Sequence, residues 1–211
     1  MPKTEPFDKY SLKYENWFEV NRFTYESELR AVKYYIPEGK KGIEIGVGSG
    51  RFAAPLGIEV GVDPSIEIGK IALSRGIRVI AGTAENLPLP NNSFDFALMV
   101  TTICFLDDID KGFMEARRIL KPGGSLIIGF VAKDSKIGKL YLLHRNESVF
   151  YKIATFYSVT DVLNSLKKAD FNDISIIQTV FDNTSKIDSI QPLRTGYGDG
   201  SFLVISARSP R

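Results

Sequence analysis

Glu44-Ile45-Gly46-Val47-Gly48-Ser49-Gly50 decides how this chain folds. Gly42 to Gly46 is a short apolar run that reads as a buried strand, and glycines at 46, 48 and 50 sit directly after it and before a helical stretch. Glycine tolerates positive φ and lets a ligand approach the backbone closely. In open α/β sheets ligands bind beyond the carboxyl ends of the strands. Alone, such a loop is either a cofactor cradle or a tight turn. Its spacing narrows the cofactor. The dinucleotide pattern Gly-x-Gly-x-x-Gly needs glycine where this chain has Arg51, and Gly50 comes one residue early. No Gly-Lys-Ser/Thr is present in the loop, so it is not a nucleotide P-loop.

Downstream, strands and helices alternate. A brief helix is expected around Arg51–Leu56, then a strand at Glu59–Asp63, a helix at Ser65–Arg75 and a strand at Arg78–Ala81. Phe96–Val100 is almost continuously apolar, as befits a strand covered on both faces. A helix over Asp108–Leu120 ends at Pro122-Gly123-Gly124, and Ser125–Val131 is the fifth strand. The end of the chain departs from this rhythm. A helix at Phe156–Ala169 precedes two strands, Ile174–Phe181 and Ser201–Ala207, joined by turn formers rather than a helix. This order predicts α/β architecture: a mostly parallel sheet with helices on both faces and a C-terminal antiparallel hairpin. Seven strands are expected, with the last antiparallel between the fifth and sixth.

Two segments are extra to the alternation. Residues 1–38 read as N-terminal helices rich in aromatics, including Trp17, Phe18, Phe23 and Tyr25. Residues 133–157 form an insertion whose middle, Leu140–Tyr151, is expected to be helical. One domain over 1–211 accommodates both.

Composition sets bounds. Hydrophobic residues make up 44% and charged residues 25%, with a net charge of +2. No basic run supports a nucleic-acid groove or a membrane patch, and no apolar segment reaches the ~18 residues of a membrane span. The start of the chain does not read as a signal peptide. Cys104 is the sole cysteine, so no intrachain disulfide forms, and a cytoplasmic setting is expected. No metal site is expected.

Asp63 ends the second strand, where a carboxylate can accept two hydrogen bonds from a ribose diol. The bland alternative is a turn or helix-capping residue. At this point the sequence resembles the class I S-adenosyl-L-methionine (SAM)-dependent methyltransferases, in the group that acts on small molecules. Glu44–Gly50 matches their first motif, and Gly61-Val62-Asp63-Pro64-Ser65 the acidic end of strand two. Gly82-Thr83-Ala84-Glu85-Asn86-Leu87-Pro88 matches the loop after strand three. Asn92-Ser93-Phe94-Asp95 and Leu120-Lys121-Pro122-Gly123-Gly124 match the approaches to strands four and five.

The resemblance implies a Rossmann-like enzyme with SAM as cofactor and a small-molecule acceptor, with 1–38 as a helical lid and 133–157 as an insertion covering the acceptor pocket over the carboxyl ends of strands four and five; the alternative for the N-terminal aromatics is plain core packing. It implies that Glu44, Gly46, Val47, Gly48 and Gly50 lie around the methionine and ribose, and that Asp63 binds the ribose hydroxyls. Pro64 would lie on the adenine face, with Thr83, Ala84 and Glu85 along its edge. Met99, Val100 and Thr101 would face the sulfonium. Thr83 departs from the aspartate common at that position, and Cys104-Phe105 stands where relatives often carry histidine. No catalytic residue is named by the sequence: His144, the sole histidine, reads as a surface or lid residue and Cys104 as packing. A non-catalytic SAM-binding regulator or partner subunit is the rival reading, and an NAD(P)-dependent oxidoreductase a remoter one.

Overall fold

The computed structural model describes residues 3–210, with the Ser185 side chain left out. Met1, Pro2 and Arg211, the outermost residues of the expected domain and N-terminal segment, lie outside the described residues. Three helices open the chain: α1 (Glu5–Lys9), α2 (Ser11–Val20) and α3 (Arg22–Lys33). The alternating part comprises β1 (Gly42–Ile45), β2 (Val60–Asp63), α4 (Ile66–Ser74), β3 (Arg78–Ala81), β4 (Phe94–Val100), α5 (Ile109–Ile119) and β5 (Leu120–Val131). Then come α6 (Lys136–Leu143), α7 (Val159–Lys168), β6 (Asn172–Thr179), β7 (Arg194–Thr195) and β8 (Phe202–Arg208).

The described strands form one sheet of order β3-β2-β1-β4-β5-β8-β6-β7. β1 to β5 are parallel where they pair, and β8 runs antiparallel between β5 and β6 as expected. The expected seven strands become eight because two residues, Arg194 and Thr195, add a short edge beside β6.

Strand alternation sorts the core into two layers. Ala97 and Met99 of β4 face α5 and α7, against Phe113, Ala116 and Val162. Phe96, Leu98 and Val100 face the opposite layer with Phe18, Val32, Ala72 and Ile137. α5 presents Ile109, Phe113 and Ala116 at helical spacing, and Asp108 caps its start by accepting the Lys111 N–H.

Three local expectations are corrected. Arg51–Leu56 is a run of turns rather than a helix; Pro55 lacks an N–H and disfavours helix in the residue before it. The insertion's helix spans Lys136–Leu143 rather than Leu140–Tyr151: Ser135 caps its start through the Gly138 N–H, and only short 3-10 turns at Arg145–Glu147 and Tyr151–Ile153 follow. α7 starts at Val159 rather than Phe156, since Ser158 and Asp161 form a reciprocal capping box. Among the described residues, no helix is long and apolar enough to cross a membrane.

Candidate active site

At the carboxyl end of β1 the chain turns sharply, with Gly46 at φ 72° and Gly48 at φ 51°. A Cβ on Gly46 would lie 2.3 Å from Thr102 Cγ2, so position 46 excludes side chains on space as well as on φ. The Asp63 carboxylate pins this loop to β2. Its Oδ2 accepts the Gly48 N–H at 2.8 Å and its Oδ1 the Ser65 N–H at 2.9 Å. Burial pushes the Asp63 carboxyl above its ordinary value, against the pull of those two N–H donors. Both readings of Asp63 therefore meet in one group: it organises the turn and faces a cavity.

That cavity holds about 360 Å³. Gly46, Gly48, Asp63, Pro64, Thr83, Ala84, Glu85, Val100 and Thr101 line it. Four other residues singled out in the sequence do not. Glu44 is buried beneath the loop, its carboxyl raised well above the ordinary range by desolvation. Val47 packs over Gly61, where a Cβ would meet it at 2.4 Å. Gly50 packs against α4 near Ala72 and Ile77. Met99 points into the opposite core layer, the result of strand alternation one residue before Val100. These four residues support the cradle without reaching the cavity.

Local sequence pattern does not single out Lys3, Thr4 or Phe7. Lys3, Thr4, Phe7 and Tyr14 come from the N-terminal segment to line the same cavity. Lys3 Nζ donates to the Leu106 carbonyl at 3.2 Å and lies 3.6 Å from Asp107, clasping that segment to the loop after β4. Glu85 lines the floor and accepts the Asp107 N–H at 2.8 Å.

A second cavity, of about 300 Å³, adjoins the first and shares Phe7, Tyr14, Thr101 and Phe105 with it. It is largely aromatic. Trp17 and Phe18 come from α2, and Tyr141, Phe150, Tyr151 and Phe156 from the insertion. Tyr141 and Tyr151 stack at 4.2 Å, and Phe7 meets Phe150 at 5.3 Å. Thr101 stands between the cavities at φ 51°, a strained conformation for a β-branched residue. Its N–H bonds the Gly129 carbonyl at 2.7 Å, and its own carbonyl accepts from Cys104 Sγ at 3.2 Å. Burial pushes the Cys104 thiol up to about 12, which removes thiolate chemistry at neutral pH. His144 lines neither cavity; it is exposed beside Glu147 at 3.1 Å.

Arg51 explains why the dinucleotide pattern is broken. Its guanidinium bonds Glu15 at 2.8 Å and Glu19 at 2.8 Å, and lies 5.1 Å from the Phe18 ring. Arg75 joins the cluster at 2.5 Å from Glu15 and also donates to the Ser49 carbonyl. The roof helix α2 is thus tied to the glycine loop and α4 by charge. Burial would raise the Glu15 carboxyl, but hydrogen bonds from Arg75 and Arg51 outweigh it and hold the value below normal. A lowered folded value makes this contribution present above the unfolded pKa of about 4.3 and lost as pH falls through the folded value. Hydrogen exchange in α2 is therefore expected to quicken in acid before the sheet opens. Exchange in α2 that tracks the sheet throughout the acid range would show that the cluster does not hold the roof.

Comparison with known proteins decides the family. Residues 43–128 match a family model described as a methyltransferase domain. An uncharacterised protein of Methanocaldococcus jannaschii is 45% identical over 201 residues, covering 95% of this chain and 97% of its own. The chain belongs to the class I SAM-dependent methyltransferases. A crystal structure of a SAM-dependent methyltransferase from Thermotoga maritima, described as a possible histamine N-methyltransferase, is 49% identical. It superposes with a TM-score of 0.95 over 97% of this chain and 98% of the other. A Mycobacterium tuberculosis relative is 32% identical over 83% of this chain, which spans 63% of that protein. The cofactor of this methyltransferase is SAM. The cradle fits it: the cavity lies at the strand ends, and the Asp63 oxygens, each accepting one N–H, keep further lone pairs for hydroxyl donors.

Proposed function

We propose that this methyltransferase transfers the methyl group of SAM to a small molecule held in the aromatic cavity. One observation carries the proposal: the two cavities meet at Thr101, the carboxyl end of β4, through shared walls of Phe7, Tyr14 and Phe105. When bound, SAM supplies a methyl group already activated on a sulfonium, so no protein nucleophile is required.

The chain's own residues bind, orient and exclude water. The Gly46 and Gly48 backbone, which lines the first cavity, would run beside the amino-acid part of SAM. Asp63 would hold the ribose hydroxyls, Pro64 would lie along the adenine, and Thr83, Ala84 and Glu85 would border its edge. Val100 and Thr101 would flank the methyl-bearing end. Glu44, Val47, Gly50 and Met99 fix the cradle from behind. The covers made by the N-terminal helices and residues 133–157 hold the acceptor in line. Effective molarities show that such positioning can supply up to about 7–11 kcal/mol. The lone Cys104 suits a reducing cytoplasm, and a small molecule suits a cavity of about 300 Å³ better than a nucleic acid or a membrane does.

The test is formation of S-adenosylhomocysteine and a methylated product across a panel of amines, thiols, phenols and carboxylic acids. SAM binding without turnover on any member would favour a non-catalytic SAM-binding protein. With an acceptor in hand, Trp17→Ala and Tyr141→Ala are each expected to raise its KM while SAM affinity stays unchanged. Ring contacts worth about 0.5–1.5 kcal/mol correspond to roughly two- to tenfold. Normal KM and kcat in both variants would make these rings packing only.

A further inference from the structure

Glu28 is an acidic side chain on the inward face of α3, five per cent exposed, and it lines the aromatic cavity. Thr24, Ser27, Ala31 and Val32 share that buried face. Among the described residues, no hydrogen bond or ion pair reaches the Glu28 carboxyl. A buried, unpartnered carboxyl is costly and is kept where something pairs with it. The rings around it supply the other half of a cation site, because aromatic faces attract ammonium groups. From this juxtaposition, and resting on the transfer reading above, we propose that the acceptor is a primary or secondary amine on a flat apolar body, and that Glu28 pairs with its ammonium and takes its proton.

The step balances. An ammonium pairs with the Glu28 carboxylate and gives it one proton, leaving a free lone pair on nitrogen. That lone pair forms the N–C bond as the C–S bond breaks, and the sulfur departs with the bonding electrons as S-adenosylhomocysteine. The nitrogen becomes a methylated ammonium, and Glu28 later returns its proton to solvent. Desolvation raises the empty-cavity Glu28 carboxyl to about 8, so it is protonated at neutral pH until a cation arrives. A base near neutrality is what such a transfer needs. The other titratable groups along the cavity are Lys13, exposed on α2, Cys104, and the phenols of Tyr14, Tyr141, Tyr151 and Tyr157. Burial holds the phenols protonated and pushes the Cys104 thiol up to about 12, which leaves Glu28 to answer the pH.

Trp17, the sole tryptophan, lines the cavity and reports occupancy by fluorescence. The full chain is titrated with 2-phenylethylamine and benzylamine, and with the matching alcohols. Each amine is expected to bind more tightly than its alcohol. Glu28→Gln should weaken amine binding by roughly ten- to a hundredfold, the loss of a hydrogen bond to a charged partner, while alcohol and SAM affinities hold. In the wild type, calorimetry at neutral pH in buffers of different ionisation enthalpy should show proton release on amine binding but none with alcohols. Equal affinity for amines and alcohols, or an unchanged amine affinity in Glu28→Gln, overturns the proposal. If Glu28→Gln fails to hold SAM, the wild-type proton count decides: no release overturns it. Glu28-dependent amine binding without methylated product from any amine would instead sink the transfer reading and leave the cation site standing.

Discussion

Replacing Asp63 with alanine is expected to lower SAM affinity by about 3 kcal/mol, on the order of a hundredfold. The side chain has two tasks. On the proposed reading it offers charge-assisted acceptance to the ribose hydroxyls, each such bond contributing about 1.5–3 kcal/mol. It also restrains the cradle, since Gly48 and Ser65 both donate to it. Alanine removes both functions, leaving two backbone N–H groups to find water. Asp63→Asn keeps one acceptor and turns the other into a donor aimed at an N–H, so it should lie between. Titration calorimetry with SAM on variants whose circular dichroism matches the wild type checks this. Unchanged affinity in Asp63→Ala would remove the carboxylate from the cofactor site and leave it as a turn residue.

Phe202→Ala is expected to cost about 3–5 kcal/mol of stability. Phe202 is fully buried where β8 pairs with Val131 of β5 and Thr179 of β6. Its ring covers Gly129, where a Cβ would come within 2.8 Å of it. Truncation therefore opens a hole above a residue with no side chain to move in. A lower denaturant midpoint with an unchanged slope is the expected result. A loss under about 1 kcal/mol would mean that the two sheet halves close up around the gap. Phe202→Leu, which keeps most of the volume, should cost much less.

How far the fold was readable depended on whether the signal was local. β1, β2, β4 and β5 are apolar runs bounded by glycine, proline or polar turns, and each appears within a few residues of its expected place. β7 is two residues long and exists only because β6 offers an edge, so nothing local marks it. The glycine turn and the Asp63 carboxylate beneath the first cavity were legible because they belong to the chain's own turns. Met99 and Val100 end one apolar run, but neighbouring strand residues point into opposite layers, so only Val100 lines the cavity. Which aromatics of the N-terminal segment and the insertion enclose a cavity was illegible for another reason. Phe7, Tyr14 and Phe150 are brought together from distant parts of the chain, and aromatic residues in helices look the same whether they pack or enclose. Glu28 did leave a trace: with Thr24 and Ala31 it sits at helical spacing on one face, an acidic residue in an otherwise small and uncharged stripe.

The contact between Phe7 and Phe150 joins the two covers ring to ring, across a seam without a β-ladder. Side-chain seams of this kind are cheap to rewrite. On the proposed transfer reading, the residues of α1, α2 and the 133–157 insertion can change, and the acceptor with them, while the sheet and its glycine turn stay as they are. For an engineer the same division marks out a library. Randomising Trp17, Tyr141, Phe150 and Tyr151 explores new acceptors on a scaffold whose donor half need not be touched.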